Sequence, residues 1–148
     1  MANFKGHLTG GIITSSILAG SYLYFYNIKI AIIGFVTSLI FSLYPDMDIK
    51  SKSQKYLVIF FILFGGYIFI YEYNSIRILL IMWLIITPLL SKHRGFNHSL
   101  LNMLWLMFIW WGLIHPYFPV NQDMYISNIA VAIGFATHLL LDKHWKLI

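Results

Sequence analysis

The sequence predicts an all-α integral membrane bundle of about six helices, and three observations carry that prediction. The 148 residues are 59% hydrophobic and only 10% charged, whereas roughly a quarter of the residues in a soluble domain carry charge. The apolar residues fall in long runs and lack the weak ten-residue alternation of an outer-membrane barrel. In lipid, backbone polar groups must be satisfied within their own segment, and helices do this. The length suits a single domain, taken as 1–148, without room for a separate catalytic body.

Six apolar segments are read in order. The first, Leu8 to Tyr26, follows Lys5 and so imitates a secretory signal. Its length, its tyrosines Tyr22, Tyr24 and Tyr26, and the span that follows at once favour a retained helix. Gly10, Gly11, Ser15, Ser16, Ala19 and Gly20 give it a small-residue face suited to close packing. The second, Ile28 to Tyr44, should stop at Pro45, which disfavours helical geometry in the residue before it. If the chain becomes extended there, Asp46 and Asp48 project the same way.

The third and fourth segments, Tyr56 to Tyr71 and Ile76 to Leu90, are shorter than the ~20 residues that span a bilayer. Joined at Glu72-Tyr73-Asn74-Ser75, they are the candidate short hairpin, and removing both leaves the sidedness of the others unchanged. The fifth, Leu100 to Ile114, opens after a polar island, Lys92-His93-Arg94-Gly95-Phe96-Asn97-His98-Ser99. Gly95 permits a sharp turn there and Asn97 is the expected helix cap. The sixth, Met124 to Leu141, ends on His138 and Asp142, four apart on one helical face. Glu72, His115 and Asp123 read as solvated residues of the far side, and Lys143 and His144 either as groups that support the sixth-helix pair or as the basic end of that helix.

Counting sides brings the polar residues together. With an even number of spans, Lys5, Lys50, Lys52, Lys55, Lys92, Arg94, Lys143 and Lys146 share one face, and only Lys29 and Arg77 lie on the other. The excess of basic residues marks the first face as cytoplasmic, with both termini there. His7, the Asp46/Asp48 pair, His93 with His98, and His138 with Asp142 fall on that same face. Ionisable groups at a membrane edge are costly and read as functional. The chain has no cysteine, so a metal must be held by His and Asp, a donor set that suits zinc, manganese or iron. The candidate ligands are His7, Asp46, Asp48, His93, His98, His138 and Asp142. Seven exceed the four of a closed zinc site, so either more than one ion is bound or some of them support or do chemistry.

These motifs, in this order, resemble a family of bacterial and archaeal integral-membrane, metal-dependent hydrolase-like proteins. Its pattern is an amino-terminal His, a Pro-Asp-x-Asp, a His-Arg-Gly-x-Thr-His-Ser and a terminal His-x-x-x-Asp. The matching residues are His7, Pro45, Asp46, Asp48, His93, Arg94, Gly95, His98, Ser99, His138 and Asp142, with Asn97 where the family has threonine. The resemblance implies distant similarity to zinc-dependent phospholipase C and single-strand nucleases, and location in a bacterial or archaeal cytoplasmic membrane. The expected reaction is metal-assisted hydrolysis of a phosphoester, such as a lipid headgroup, at the cytoplasmic surface. Asp46 or Asp48 would take the proton of the attacking water, and Arg94 would grip the phosphate bidentately. The expected partners are the bilayer and a phosphate-containing substrate, with no specific nucleic acid. Two rivals stand beside this: a non-enzymatic protein with a structural metal, and a metal or proton transporter, whose ligands would usually sit near mid-membrane.

Overall fold

The computed structural model describes residues 4–48, 50–91, 95–115 and 122–142. Six α-helices run through them: α1 (Phe4–Phe25), α2 (Ile28–Leu43), α3 (Lys52–Glu72), α4 (Ser75–Leu90), α5 (Leu100–Ile114) and α6 (Gln122–Asp142). Short 3-10 turns, Tyr44–Asp48 and Phe96–His98, close α2 and precede α5. Four stretches are long and apolar enough to cross a membrane: Phe4–Phe25, Ile28–Asp48, Lys52–Glu72 and Met124–Asp142. The third reaches back to Lys52 and is of span length, not the short segment its apolar run from Tyr56 predicts, with α4 as its shorter partner.

The outside of the bundle is apolar, and a set of polar side chains is buried beside its apolar core. Ile17, Tyr24, Leu63, Ile70 and Leu90 stand more than half exposed, while Ser15, Ser38, Asn97, His98, Ser127 and His138 are buried. In water such a surface would aggregate, but in a bilayer it faces a solvent as apolar as itself. Together with the four span-length stretches, this makes the protein a helical membrane bundle.

Close approach of α1, α2 and α6 builds the half that carries His7, His138 and Asp142. A Cβ added to Gly134 would overlap the Ser38 backbone carbonyl, and one at Gly11 would overlap the Ser42 hydroxyl. Gly34 likewise leaves room for the Tyr22 ring, whose hydroxyl donates to the Ile126 carbonyl at 3.1 Å. The absence of side chains at these glycines lets the backbones come together, the usual way helices adhere in lipid. Gly20, read as part of the same face, has no heavy atom within 4 Å of a would-be Cβ.

The other half is tied on by a proline. Pro88 lies inside α4 and has no N–H to offer the carbonyl four residues back, that of Leu84. The buried Tyr44 hydroxyl supplies the missing donor at 3.1 Å, which fixes the 3-10 turn to α4. Tyr44→Phe should therefore destabilise the protein by about 1–2 kcal/mol, the upper range for such bonds in membranes. In a Pro88→Ala background the restored N–H serves Leu84, and the same change should cost much less. Thermal midpoints of the four proteins in detergent check this cycle; equal costs in both backgrounds would refute it.

At the opposite end, Asn74 caps α4 by accepting from Arg77 N at 3.1 Å, and Tyr73 takes a left-handed conformation, φ 49°. Glu72 pairs with Arg77, so the solvated-loop reading of Glu72 is corrected. The carboxylate neutralises a guanidinium that is itself buried. Asp123 stands within α6 rather than in a loop.

Candidate metal centre

The ends of α1, α2 and α6 converge on one cluster. His7 lies in the first turns of α1, which begins at Phe4 rather than after His7. Asp46 lies in the 3-10 turn, and His138 and Asp142 are on the last turn of α6. Each offers one ligand atom, and the four atoms all lie within 4.8 Å of one another. His7 Nε2 is 3.2 Å from Asp142 Oδ1 and 3.9 Å from Asp46 Oδ2. His138 Nε2 is 3.6 Å from both Asp46 Oδ1 and Asp142 Oδ2.

These separations test the fit to a metal. Ligands held at ~2.1 Å around a tetrahedral zinc stand about 3.4 Å apart, and the cluster brackets that value. Most pairs are too long for hydrogen bonds, and His138 Nε2 and Asp142 Oδ1 are buried without a hydrogen-bond partner. Orphaned polar atoms are costly in a protein interior, and these two belong to the group whose ligand atoms all lie within 4.8 Å of one another. The donor set fits a divalent cation.

His138 is braced for such a role. Its Nδ1 lies 2.8 Å from the Ser42 carbonyl, which can only accept, so Nδ1 carries the proton and the Nε2 lone pair faces the carboxylates. That carbonyl belongs to the last turn of α2. The register extends the contact made by Gly134: Gly134 meets Ser38, His138 meets Ser42, and Asp142 joins Asp46, each step four residues along both helices. The imidazole of His7 stacks on that of His138, with centroids 4.0 Å apart and 11° between planes. Both α2 and α6 point their C-terminal ends here, and helix C-termini favour positive charge.

Asp48 and His98 flank this group. His98 Nδ1 is 3.6 Å from Asp48 Oδ2, and His98 Nε2 is 3.8 Å from Asp142 Oδ2. The extended backbone expected after Pro45 is corrected: Tyr44–Asp48 is a 3-10 turn, with three residues per turn, so Asp46 and Asp48 diverge. One faces His7 and His138, the other His98. Later residues hold the turn in shape. Ser51 Oγ donates to the Asp46 carbonyl at 3.1 Å and Gln54 Nε2 to the Met47 carbonyl at 3.0 Å.

The expected cap is corrected as well. Ser99, not Asn97, caps α5, its hydroxyl accepting from Asn102 N at 3.1 Å. Asn97 is instead fully buried, and its side-chain amide atoms have no hydrogen-bond partner. Gly95 sits at φ −85°, so the turn does not use the left-handed region. His93 and Arg94 lie outside the described residues, as does His144; His115 is exposed at the end of α5.

Fold and site together define a helical membrane protein with a buried His/Asp cluster at one end of its bundle. The chain belongs to the YdjM inner membrane protein family, whose model matches residues 1–147. No curated protein and no solved structure matches it. The family description names a membrane and no chemistry.

Proposed function

We propose that the protein is a metal-dependent hydrolase that cleaves a phosphoester at the headgroup level of the membrane. The observation that carries this reading is the buried four-donor group His7, Asp46, His138 and Asp142 with a further carboxylate, Asp48, beside it. Two imidazole nitrogens and two carboxylate oxygens suit zinc, with manganese or iron as competitors. A bound divalent ion supplies Lewis acidity, polarising a phosphoryl oxygen and making water acidic enough to attack near neutral pH. Asp48 has its carboxylate against His98 and outside the four-donor group, which suits it to accept the proton of the attacking water; His98 would orient it. Asp46 and Asp142 hold the ion, and Arg94, from the same island as His98, would bind the phosphate in the bidentate manner open to a guanidinium.

Lys5 on α1, Lys50 just before α3, and Lys52 and Lys55 in its first turn belong to the same end of the bundle as the cluster, while Lys29 and Arg77 begin helices at the other. By the positive-inside rule, the site faces the cytoplasm from the inner membrane, and both termini lie on that side. The order of the motifs, which resembles that of membrane-bound hydrolase-like proteins, is in keeping with this reading; the family match itself names only the inner membrane.

A structural role for the metal is the second reading, favoured by donors that come from three separate helix ends. The two separate cleanly. Protein purified in detergent should contain metal, hydrolyse a phospholipid or a chromogenic phosphodiester, lose turnover on chelation and regain it with zinc. Asp48→Ala should keep its metal and lose at least ~100-fold in turnover, the usual scale of general-base loss. Metal-loaded protein that melts on chelation but never turns over any phosphoester would leave only the structural role.

A further inference from the structure

A groove of 440 Å³ runs along the seam between α1 and α6, lined by Gly10, Ile13, Thr14, Ile133, Thr137 and Leu141 among others. Its near end lies at the depth of the cluster along both helices, although no cluster residue lines it. Gly10 is one turn along α1 from His7, Thr137 precedes His138, and Leu141 precedes Asp142. From Leu141 to Ile133 the groove follows about 12 Å of helix, within the ~15 Å depth of one leaflet. Both walls belong to span-length stretches, and Ile13 and Leu140 at the rim are more than half exposed. The lining bears no charge, and the Thr137 hydroxyl is already committed to the Ile133 carbonyl at 2.8 Å. A second groove, of 420 Å³, runs beside α2, but its α2 residues end at Ile40, more than a turn short of Asp46.

We propose that the α1/α6 groove seats one acyl chain of a membrane lipid, so that the lipid's phosphoester headgroup lies at the His7, Asp46, His138 and Asp142 cluster. This rests on the hydrolase reading and names its substrate class. Moving a chain from the bilayer into an apolar groove gains little, because lipid tails are as apolar as the lining. The groove acts by position instead. A chain laid along the seam removes the sideways freedom of its headgroup, which is how orientation lowers a barrier. Gly10 leaves the near end room for the Leu141 side chain, on which any side chain at position 10 would press.

The test uses the full chain in nanodiscs of phosphatidylglycerol carrying a trace of the same lipid with a diazirine in one acyl chain. After irradiation, adducts are mapped by peptide mass spectrometry, with and without chelator. Adducts should concentrate on residues 10–14 and 133–141, and fall several-fold in both Ala136→Phe and Thr14→Phe, which fill the groove from opposite walls. Val36→Phe, in the second groove, should leave the map unchanged. Adducts spread evenly over the outward faces of α1, α3, α4 and α6 overturn the proposal, as does wild-type labelling in both filled variants. The wild-type map decides even where a variant fails to fold. Labelling needs no turnover, so a labelled groove without hydrolysis refutes the hydrolase reading and supports the seat, while hydrolysis with even labelling does the reverse.

Discussion

Asp142→Ala should weaken metal binding by more than about 100-fold, beyond the 10–100-fold that loss of a supporting contact alone causes. The reason is its central position: its two carboxylate oxygens lie 3.2 Å from His7 Nε2, 3.6 Å from His138 Nε2 and 3.8 Å from His98 Nε2. No other described residue of the cluster reaches all three imidazoles. The stabilisation that metal confers on the folded state should fall with affinity, by about 2.7 kcal/mol for each 100-fold. Melting of the metal-free protein should change far less, because without the ion Asp142 stands close to a second buried carboxylate, Asp46, and the repulsion of like charges offsets what it contributes. Calorimetric zinc titration and thermal melts with and without zinc check both parts. A variant that still binds zinc like the wild type would remove Asp142 from the ligand set and the common site with it.

How much of this was legible in the sequence follows from the range of the interactions involved. The parity of six apolar runs was enough to put His7, Asp46, Asp48, His98, His138 and Asp142 at one end of a bundle, because membrane helices alternate direction whatever their packing. The His138/Asp142 pair was legible for an equally local reason, the helical spacing of four. The conformation after Pro45 was not. A proline before two aspartates is compatible with extended or turn geometry, and what selects the 3-10 turn is the Ser51 and Gln54 side chains reaching back to its carbonyls and Tyr44 reaching across to α4. The Ser-x-x-Gln spacing that opens α3 is a capping signature that marks this helix start. Asn97 has a residue type that suits a cap, but Ser99 occupies the position one step before the first helical residue. The brace on His138 was invisible for a different reason. It is a backbone carbonyl, which every residue has, and only the register of α2 against α6 selects that of Ser42.

That register makes Gly134→Ala the most informative change away from the ligands. A methyl group there would overlap the Ser38 backbone carbonyl, and a backbone cannot rotate aside as a side chain can. The helices must separate, at a cost of about 1–3 kcal/mol for an overpacked interior. Because His138 meets Ser42 one turn further along the same two helices, separation at Gly134 should also lengthen the bond that orients the His138 lone pair. Metal affinity is then expected to fall by roughly 10–100-fold, as for loss of a supporting contact, although no ligand has been touched. Gly11→Ala should be milder, since the atoms it meets belong to the Ser42 and Leu39 side chains. Gly20→Ala meets nothing within 4 Å and should be neutral or stabilise by up to ~1 kcal/mol through helix propensity. Melting midpoints and zinc titrations of the three variants give the ranking. Should Gly134→Ala lose stability yet bind zinc as the wild type does, the α2/α6 contact would be packing alone, and the orientation of His138 would have to come from within α6 itself.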